Sequence, residues 1–193
     1  MSVWKLSSFL GLSKNEEMIE SKYWRDDLLI FSEYLLNQPE LKEWSEKEQV
    51  IFEKKVIMHL FIARKLMETK KVPKTTRIKP HNLVAFPRIK GKKLYPWDYL
   101  LPKEVFDFHN PEQQKLTTWE LANQFIHSLI LYAHLEKNRW DHILTCSDFK
   151  YPHFLYRVEV TQLAHVFREI GEKYPEKLTF KRNNKSGGYD IET

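Results

Sequence analysis

Three ionisable side chains, Glu120, His127 and His134, recur at intervals of seven residues. In one continuous helix this interval would put them on a single stripe, with about 10.5 Å between neighbours along the axis. A carboxylate and two imidazoles can transfer protons in a reaction, and imidazole is also a common metal ligand. One hypothesis is therefore a small hydrolase or nuclease, in which His127 is the acid–base residue and Asn123, one turn earlier, orients it.

The same stripe has a simpler interpretation. Two turns separate His127 from His134, so the two rings cannot share a metal without further ligands between them. The His-Glu-x-x-His pattern of zinc proteases is absent from the chain. A stripe that faces water, or that hydrogen-bonds a neighbouring segment, explains the spacing equally well.

A second distinctive region is residues 70–93, called the basic segment below. It contains nine Lys and Arg and no Asp or Glu, whereas the rest of the 193-residue chain carries 22 Lys and Arg against 26 Asp and Glu. Such a local positive field attracts anionic partners. Nearby aromatic side chains could stack on bases while the cations contact phosphates. The cations expected to bind nucleic acid are Lys74, Arg77, Lys79, Arg88, Lys90, Lys92 and Lys93, and the aromatic residues are Phe86, Tyr95 and Trp97.

The preferred hypothesis is a non-enzymatic binding or adaptor protein whose basic segment engages nucleic acid first and an acidic protein second. A solvated loop that only keeps the surface soluble would carry the same charges, and a membrane surface is a further anionic alternative. The tripeptide Arg-Ile-Lys occurs at 77–79 and again at 88–90. In an extended chain each copy would direct both cations outward while the isoleucine anchors the segment.

Other residues with metal-binding or nucleophilic side chains do not form a known module. His142, Cys146, Asp148 and His153 lie near one another in sequence, but their spacing matches no zinc module, so no metal is expected. Cys146, the single cysteine, is predicted to be a buried and unreactive thiol. His59 lies in an apolar run and is interpreted as a core or interface histidine. The glycine patterns of nucleotide-binding loops are absent, so no cofactor is expected.

The elements that must position these residues begin with two helices. Apolar residues at three- and four-residue steps predict one helix over 20–37 and a second from Ser45 to just before Pro73. Ser45 with Glu48 three residues later is a capping-box pattern, and the short link indicates an αα-hairpin. Residues 72–111 contain six prolines, which disfavour long helices and central strands. That stretch is predicted to be an extended crossing, held to the surface by its apolar side chains.

A third long helix, which would carry the stripe, is predicted from Thr117 or Thr118 to about Lys137. Beyond it, strand and helix patterns alternate in the order ββαββ. The strands are expected over 142–146, 154–160, 178–180 and 189–191, the helix over 162–174 and a turn over 183–188.

These patterns predict an α+β fold with an N-terminal αα-hairpin, a third long helix and a C-terminal ββαββ small antiparallel sheet. One domain is expected over 1–193, and its parts are the helical hairpin (1–71), the basic proline-punctuated crossing (72–111) and the helix plus ββαββ part (112–193). No apolar run approaches the ~20 residues that span a bilayer. Because there is one cysteine and no signal-peptide pattern, a soluble cytoplasmic protein without a membrane partner is expected.

Overall fold

The fold is built from five helices and seven strands over the described part of the chain. The computed structural model describes residues 16–92, 102–148, 153–175, 179–182 and 189–192. The helices are α1 Glu16–Leu36, α2 Glu46–Glu68, α3 Lys74–Arg77, α4 Thr118–Ile126 and α5 Val160–Glu172, with a 3₁₀ turn at Pro102–Glu104. The strands are β1 Pro80–Pro87, β2 Glu112–Thr117, β3 Ser128–Glu136, β4 Arg139–Ser147, β5 Phe154–Glu159, β6 Thr179–Arg182 and β7 Tyr189–Glu192.

Five of the strands form one antiparallel sheet in the order β2-β1-β5-β4-β3, and β6 pairs with β7 in a separate two-stranded sheet. Alternation along each strand sends side chains to opposite faces, so the large sheet borders two cores. On one face Leu83, Ile143 and Val158 belong to the main core with the long helices. The second, smaller core on the other face contains Val105, Phe106, Ile130, Cys146 and Leu155. The predicted α+β class is confirmed.

The two N-terminal helices are also confirmed. Ser45 precedes α2, and its hydroxyl accepts a hydrogen bond of 3.2 Å from the backbone N–H of Glu48, which satisfies one donor of the first turn. Helix α1 packs closely on α5 at Gly171, where an added Cβ would lie 2.7 Å from Cδ2 of Leu29. The helical hairpin therefore closes over the C-terminal helix as well as over the sheet.

The third helix is much shorter than predicted. Helix α4 ends at Ile126, and the following residues, expected to continue it to Lys137, form strand β3 and pair with β4 over their length. The run Leu129–Leu135 is almost entirely apolar, so its pattern fits both the buried face of a helix and a buried strand. It has too few polar residues to distinguish the helical period from the strand period. Lys137 and Asn138 then have φ values of 49° and 60° between the paired residues Glu136 and Arg139. This two-residue hairpin turn joins β3 to β4 and decides the outcome in favour of strands.

The stretch predicted as an extended crossing contains an interior strand. β1 lies between β2 and β5 and pairs antiparallel with both. Pro80 and Pro87 bound this strand rather than interrupt it, so the backbone N–H groups of the six residues between them remain available for pairing. β2, which follows it in sequence, was not predicted either.

The C-terminal ββαββ order is confirmed, with one difference in pairing. β4 and β5 belong to the large sheet, whereas only β6 and β7 form a small sheet of their own. Helix α5 begins at Val160, directly after β5 and two residues earlier than predicted. The predicted turn at 183–188 lies outside the described residues.

A buried arginine joins three distant parts of the fold. The Nη1 atom of Arg25 donates to the carbonyl oxygens of Ile170, Gly171 and Lys173 at 2.7, 3.2 and 3.0 Å, and Nη2 donates to that of Lys71. Cations favour a helix C-terminus, where the last carbonyls lack partners within the helix. Arg25 of α1 therefore completes the end of α5 and holds the start of the basic segment.

Candidate anion-binding site

The structure divides the basic segment into two groups of cations. Lys74 and Arg77 lie on α3 before β1, whereas Lys90 and Lys92 follow its end. The eight residues of β1 separate these groups by roughly 23 Å. The cations of the basic segment that the structure describes therefore lie in two groups, one before β1 and one after it. Lys93, Tyr95 and Trp97 lie outside the described residues.

The prediction that the isoleucines of the two Arg-Ile-Lys tripeptides anchor the segment is wrong. Ile78 is 53% exposed and Ile89 is 37% exposed. Arg77 ends a short helix and is not in an extended chain, so the alternation that would turn its neighbour inward does not apply. The segment is held instead by Leu83 and Ala85 of β1, which are buried.

Arg77 lies in a cluster that the sequence did not reveal. Its guanidinium carbon lies 4.2 Å from the centroid of the Trp119 ring, and that of Arg64 lies 4.5 Å from the same centroid. These distances are within the range of cation–π attraction. We call Arg64, Arg77 and Trp119 the arginine–tryptophan cluster. Its members come from α2, α3 and α4, so only folding brings them together.

The two arginines differ in their polar partners. Arg64 pairs with the carboxylate of Glu68 at 3.0 Å and donates to the side-chain oxygen of Asn123. Among the residues that the structure describes, no carboxylate pairs with Arg77 or with Lys74, which lies one helical turn before it. The guanidinium of Arg77 is thus oriented by an aromatic ring and retains its positive charge without a neutralising partner.

His127 lies at the edge of this cluster. It caps the C-terminal end of α4, is exposed, and has its Nε2 atom 3.5 Å from Nη1 of Arg64. That distance is longer than an ordinary hydrogen bond. His127 therefore adds a titratable polar group beside the arginines but is not held by them.

The structure does not bring Glu120, His127 and His134 onto one stripe. Glu120 is committed to a capping box, since one of its carboxylate oxygens accepts from the backbone N–H and the hydroxyl of Thr117, both at 2.8 Å. His134 lies on β3, seven residues beyond His127 and roughly 23 Å farther along an extended chain. The shared helix that the acid–base hypothesis required ends before His127.

Lys79, another predicted contact, is paired with a carboxylate that it shares with a second lysine. Its Nζ atom lies 2.6 Å from one carboxylate oxygen of Glu169, and Nζ of Lys173 lies 2.7 Å from the other. Burial by itself would raise the pKa of Glu169, but the hydrogen bonds from Lys173 and Lys79 outweigh it and lower that pKa. This ion pair borders a cavity of about 360 Å³ lined by Lys79, His81, Glu159, Thr161, Gln162, His165, Val166 and Glu169.

The remaining predicted cations that the structure describes lie at the far end of β1. Arg88 is half-buried and its backbone N–H donates to the carbonyl of His153 at 2.8 Å. Lys90 and Lys92 are exposed. Neither lysine makes a cation–π contact with an aromatic ring in the described part of the chain. Their ammonium groups are therefore not held in place as the guanidinium groups around Trp119 are.

Cys146 is buried, and burial raises the pKa of its thiol to about 12. The prediction of a buried thiol is confirmed, and the raised pKa leaves almost no reactive thiolate at neutral pH.

No model of a known protein family, no curated protein and no solved structure matches this chain. Within the described residues, no helix is both long and apolar enough to cross a bilayer. The function must therefore be argued from the side chains themselves.

Proposed function

We propose that this protein binds nucleic acid through the arginine–tryptophan cluster, with Lys74 and His127 at its margin. The observation that carries the proposal is the pair of guanidinium groups within 4.5 Å of one indole centroid, one of them without a carboxylate partner among the described residues. An aromatic ring within 4.5 Å of both guanidinium groups attracts each of them, which favours holding two cations at one site. Such an arrangement is useful where a polyanion will occupy the site.

The geometry favours phosphate as the chemical group that is bound. A guanidinium presents a planar fork of donors that matches a phosphate with two parallel hydrogen bonds. Stacking on Trp119 holds the guanidinium of Arg77 in place, so less side-chain entropy is lost when the phosphate binds. Lys74, one turn earlier on the same short helix, supplies a second cation beside it.

The position of the cluster favours a polymer over a small anion. It lies on the surface formed by α2, α3 and α4, and none of its three members lines the cavity beside Lys79. Contacts on an open surface bind phosphates along a backbone without reading base edges. We therefore propose a binding module with little sequence preference, and an acidic protein remains the second candidate partner.

The hydrolase or nuclease alternative is not proposed. Glu120 and His127 lie at opposite ends of α4 and His134 lies on β3, and the carboxylate of Glu120 already accepts two hydrogen bonds. Acid–base catalysis needs its groups within hydrogen-bond reach of a common substrate.

Fluorescence anisotropy of a labelled single-stranded oligonucleotide over a salt series tests the proposal. The double variant Lys74→Gln/Arg77→Gln should weaken binding and lower the salt slope by about 0.7 for each phosphate that the protein no longer neutralises, or about 1.4 for two. The matched control, Lys90→Gln/Lys92→Gln, removes the same charge at the other end of β1 and should bind like the parent protein.

Three results would contradict the proposal. The parent protein could fail to bind at low salt, or both double variants could lose affinity equally, which would indicate a general charge effect. A third is tighter binding of polyglutamate than of the oligonucleotide at the same salt concentration, because that result would identify an acidic protein as the partner.

A further inference from the structure

The sheet face opposite the helices carries a row of polar side chains at the β3–β4–β5 end. His134 of β3 lies directly across from His142 of β4, and His142 lies directly across from Glu159 of β5. Directly paired residues in an antiparallel sheet have Cβ atoms about 5 Å apart and project on the same side. The rings of His134 and His142 are stacked, with 4.6 Å between centroids.

A β-bulge adds a carboxylate to this row. His134 pairs with His142 and Leu135 pairs with Trp140, so Asp141 is an extra residue in β4 without a partner in β3. A bulge bends the strand and redirects side chains near it. The result is that Oδ2 of Asp141 lies 2.7 Å from Nδ1 of His142.

Potential ligand atoms of Asp141, His142 and Glu159 all lie within 4.8 Å of one another. Arg157 lies between the two carboxylates, with Nη2 at 3.3 Å from Asp141 and Nε at 2.8 Å from Glu159. Two carboxylates and one guanidinium leave a net negative charge beside a histidine nitrogen. The side chain of Arg157 is 36% exposed, so it can turn towards solvent.

We propose that Asp141, His142 and Glu159 form a binding site for a divalent transition metal such as Zn²⁺. One imidazole nitrogen with two carboxylate oxygens suits zinc and its neighbours better than magnesium or calcium, which prefer oxygen ligands alone. Ligand atoms around a tetrahedral zinc lie roughly 3.4 Å apart, given bonds of about 2.1 Å. Binding therefore requires the widest of the three separations, at most 4.8 Å, to shorten, and the 2.7 Å contact between Asp141 and His142 to lengthen slightly.

Metal binding at this site would exchange one cation for another. The ion takes the position of the hydrogen bond between His142 and Asp141, and it displaces the guanidinium of Arg157. His134 lies outside the three-ligand set and acts as a positioning residue, because its stacking holds the ring of His142. This site is independent of the arginine–tryptophan cluster, so either proposal can fail alone.

Arg157 and the metal ion compete for the same two carboxylates, so variants of Arg157 and of the ligands should change zinc affinity in opposite directions. Zn²⁺ titrated into the chelator-treated full-length chain by calorimetry should bind with a stoichiometry of one. His142→Ala and Glu159→Gln should each lower the affinity at least tenfold, since changes to the outer shell of a site alone cost 10- to 100-fold. Arg157→Gln removes the competing cation and should tighten zinc binding severalfold.

The matched control is His109→Ala, which removes an exposed histidine outside the cluster and should leave the affinity unchanged. Melting curves establish that each variant is folded. If His142→Ala or Glu159→Gln does not fold, Asp141→Asn takes its place as the variant that removes a ligand. The proposal is overturned if Arg157→Gln weakens zinc binding, if the control variant removes it, or if the folded His142→Ala protein binds zinc as the parent does. It is equally overturned if Zn²⁺ binds no better than Mg²⁺, because the cluster would then be an ordinary ion-pair network.

Discussion

At the scale of single residues, burial changes the chemistry of two histidines. His59 stacks on Phe31 with 3.9 Å between ring centroids, and its Nδ1 atom lies 2.6 Å from the carbonyl oxygen of Lys55. Burial lowers the pKa of His59 and that of His81, whose Nε2 atom contacts the hydroxyl of Thr118 at 2.9 Å. His59 is half-buried and stacks on a buried residue, which is compatible with the prediction of a core or interface histidine. The buried environment of His81 had no signal in the sequence.

The lowered pKa of His59 predicts a pH-dependent stability. A folded-state pKa below the ordinary 6.5 means that the unfolded chain binds the proton more readily. The contribution of His59 to the free energy of unfolding is therefore present above pH 6.5 and is lost as the pH falls through the folded-state pKa. His59→Phe keeps the aromatic stacking and should reduce the loss of stability between pH 7 and pH 5, measured by urea unfolding.

The control for this prediction is His165→Phe, at an exposed position on α5, which should keep the pH dependence of the parent protein. A remaining slope is expected in His59→Phe because His81 is unchanged. If the two variants have the same slope, His59 does not contribute to the pH dependence and the prediction is wrong.

At the scale of elements, the sequence correctly predicts the helices and strands whose apolar residues fit either the helical period or the strand period, but not both. α1, α2 and α5 have apolar positions at helical spacing, and their order was predicted correctly. The region 128–136 was not, because an almost continuous apolar run fits both periods and the pairing with β4 decides between them. β1 was missed because the prolines at its ends were interpreted as breaks rather than as boundaries.

The turn between β3 and β4 gives a prediction at this scale. Asn138 has φ of 60°, a conformation that Asn and Gly adopt readily and that costs other residues about 1–2 kcal/mol. Asn138→Val should therefore lower the free energy of unfolding by at least about 1 kcal/mol, whereas Asn138→Gly should be neutral or stabilising. Chemical denaturation of both variants measures the difference.

Glu136→Val in the same hairpin is the control, since Glu136 is an exposed strand residue with an ordinary backbone conformation and valine suits strands. Equal stabilities of Asn138→Val and Asn138→Gly would show that this turn does not constrain the hairpin.

At the scale of the whole molecule, the sheet determines which charges can act together. The sequence correctly identifies an excess of cations, but they lie at the two ends of β1 and Lys79 is paired with Glu169. The proposed site instead uses Arg64 and Trp119, which lie 13 residues before Arg77 and 42 residues after it. No local pattern connects residues so far apart, so this part of the candidate site could not be predicted.

The contacts of Arg25 also belong to this scale. Arg25→Met would leave four carbonyl acceptors without their donor, two of them buried and two partly buried, and each unsatisfied buried group costs about 1–3 kcal/mol. We expect a loss of at least about 3 kcal/mol and a melting temperature lower by roughly 10 °C. Arg168→Met, which removes only a partly exposed ion pair with Glu33, should change stability by less than about 1 kcal/mol. Similar effects of both variants on calorimetric melting would contradict the assigned role of Arg25.

The same arginine has a consequence for how the chain is made. Its carbonyl partners lie between 46 and 148 residues further along the chain, so α1 acquires its full set of hydrogen bonds only after Lys173 has left the ribosome. Until then the nascent N-terminal helices expose a guanidinium that is buried in the finished fold, together with the apolar surface that α5 later covers. Contacts of such long sequence separation slow folding and prolong that exposure. We therefore expect the newborn chain to complete this part of its fold only after α5 has been synthesised, in one concerted step, and not helix by helix from its N-terminal end.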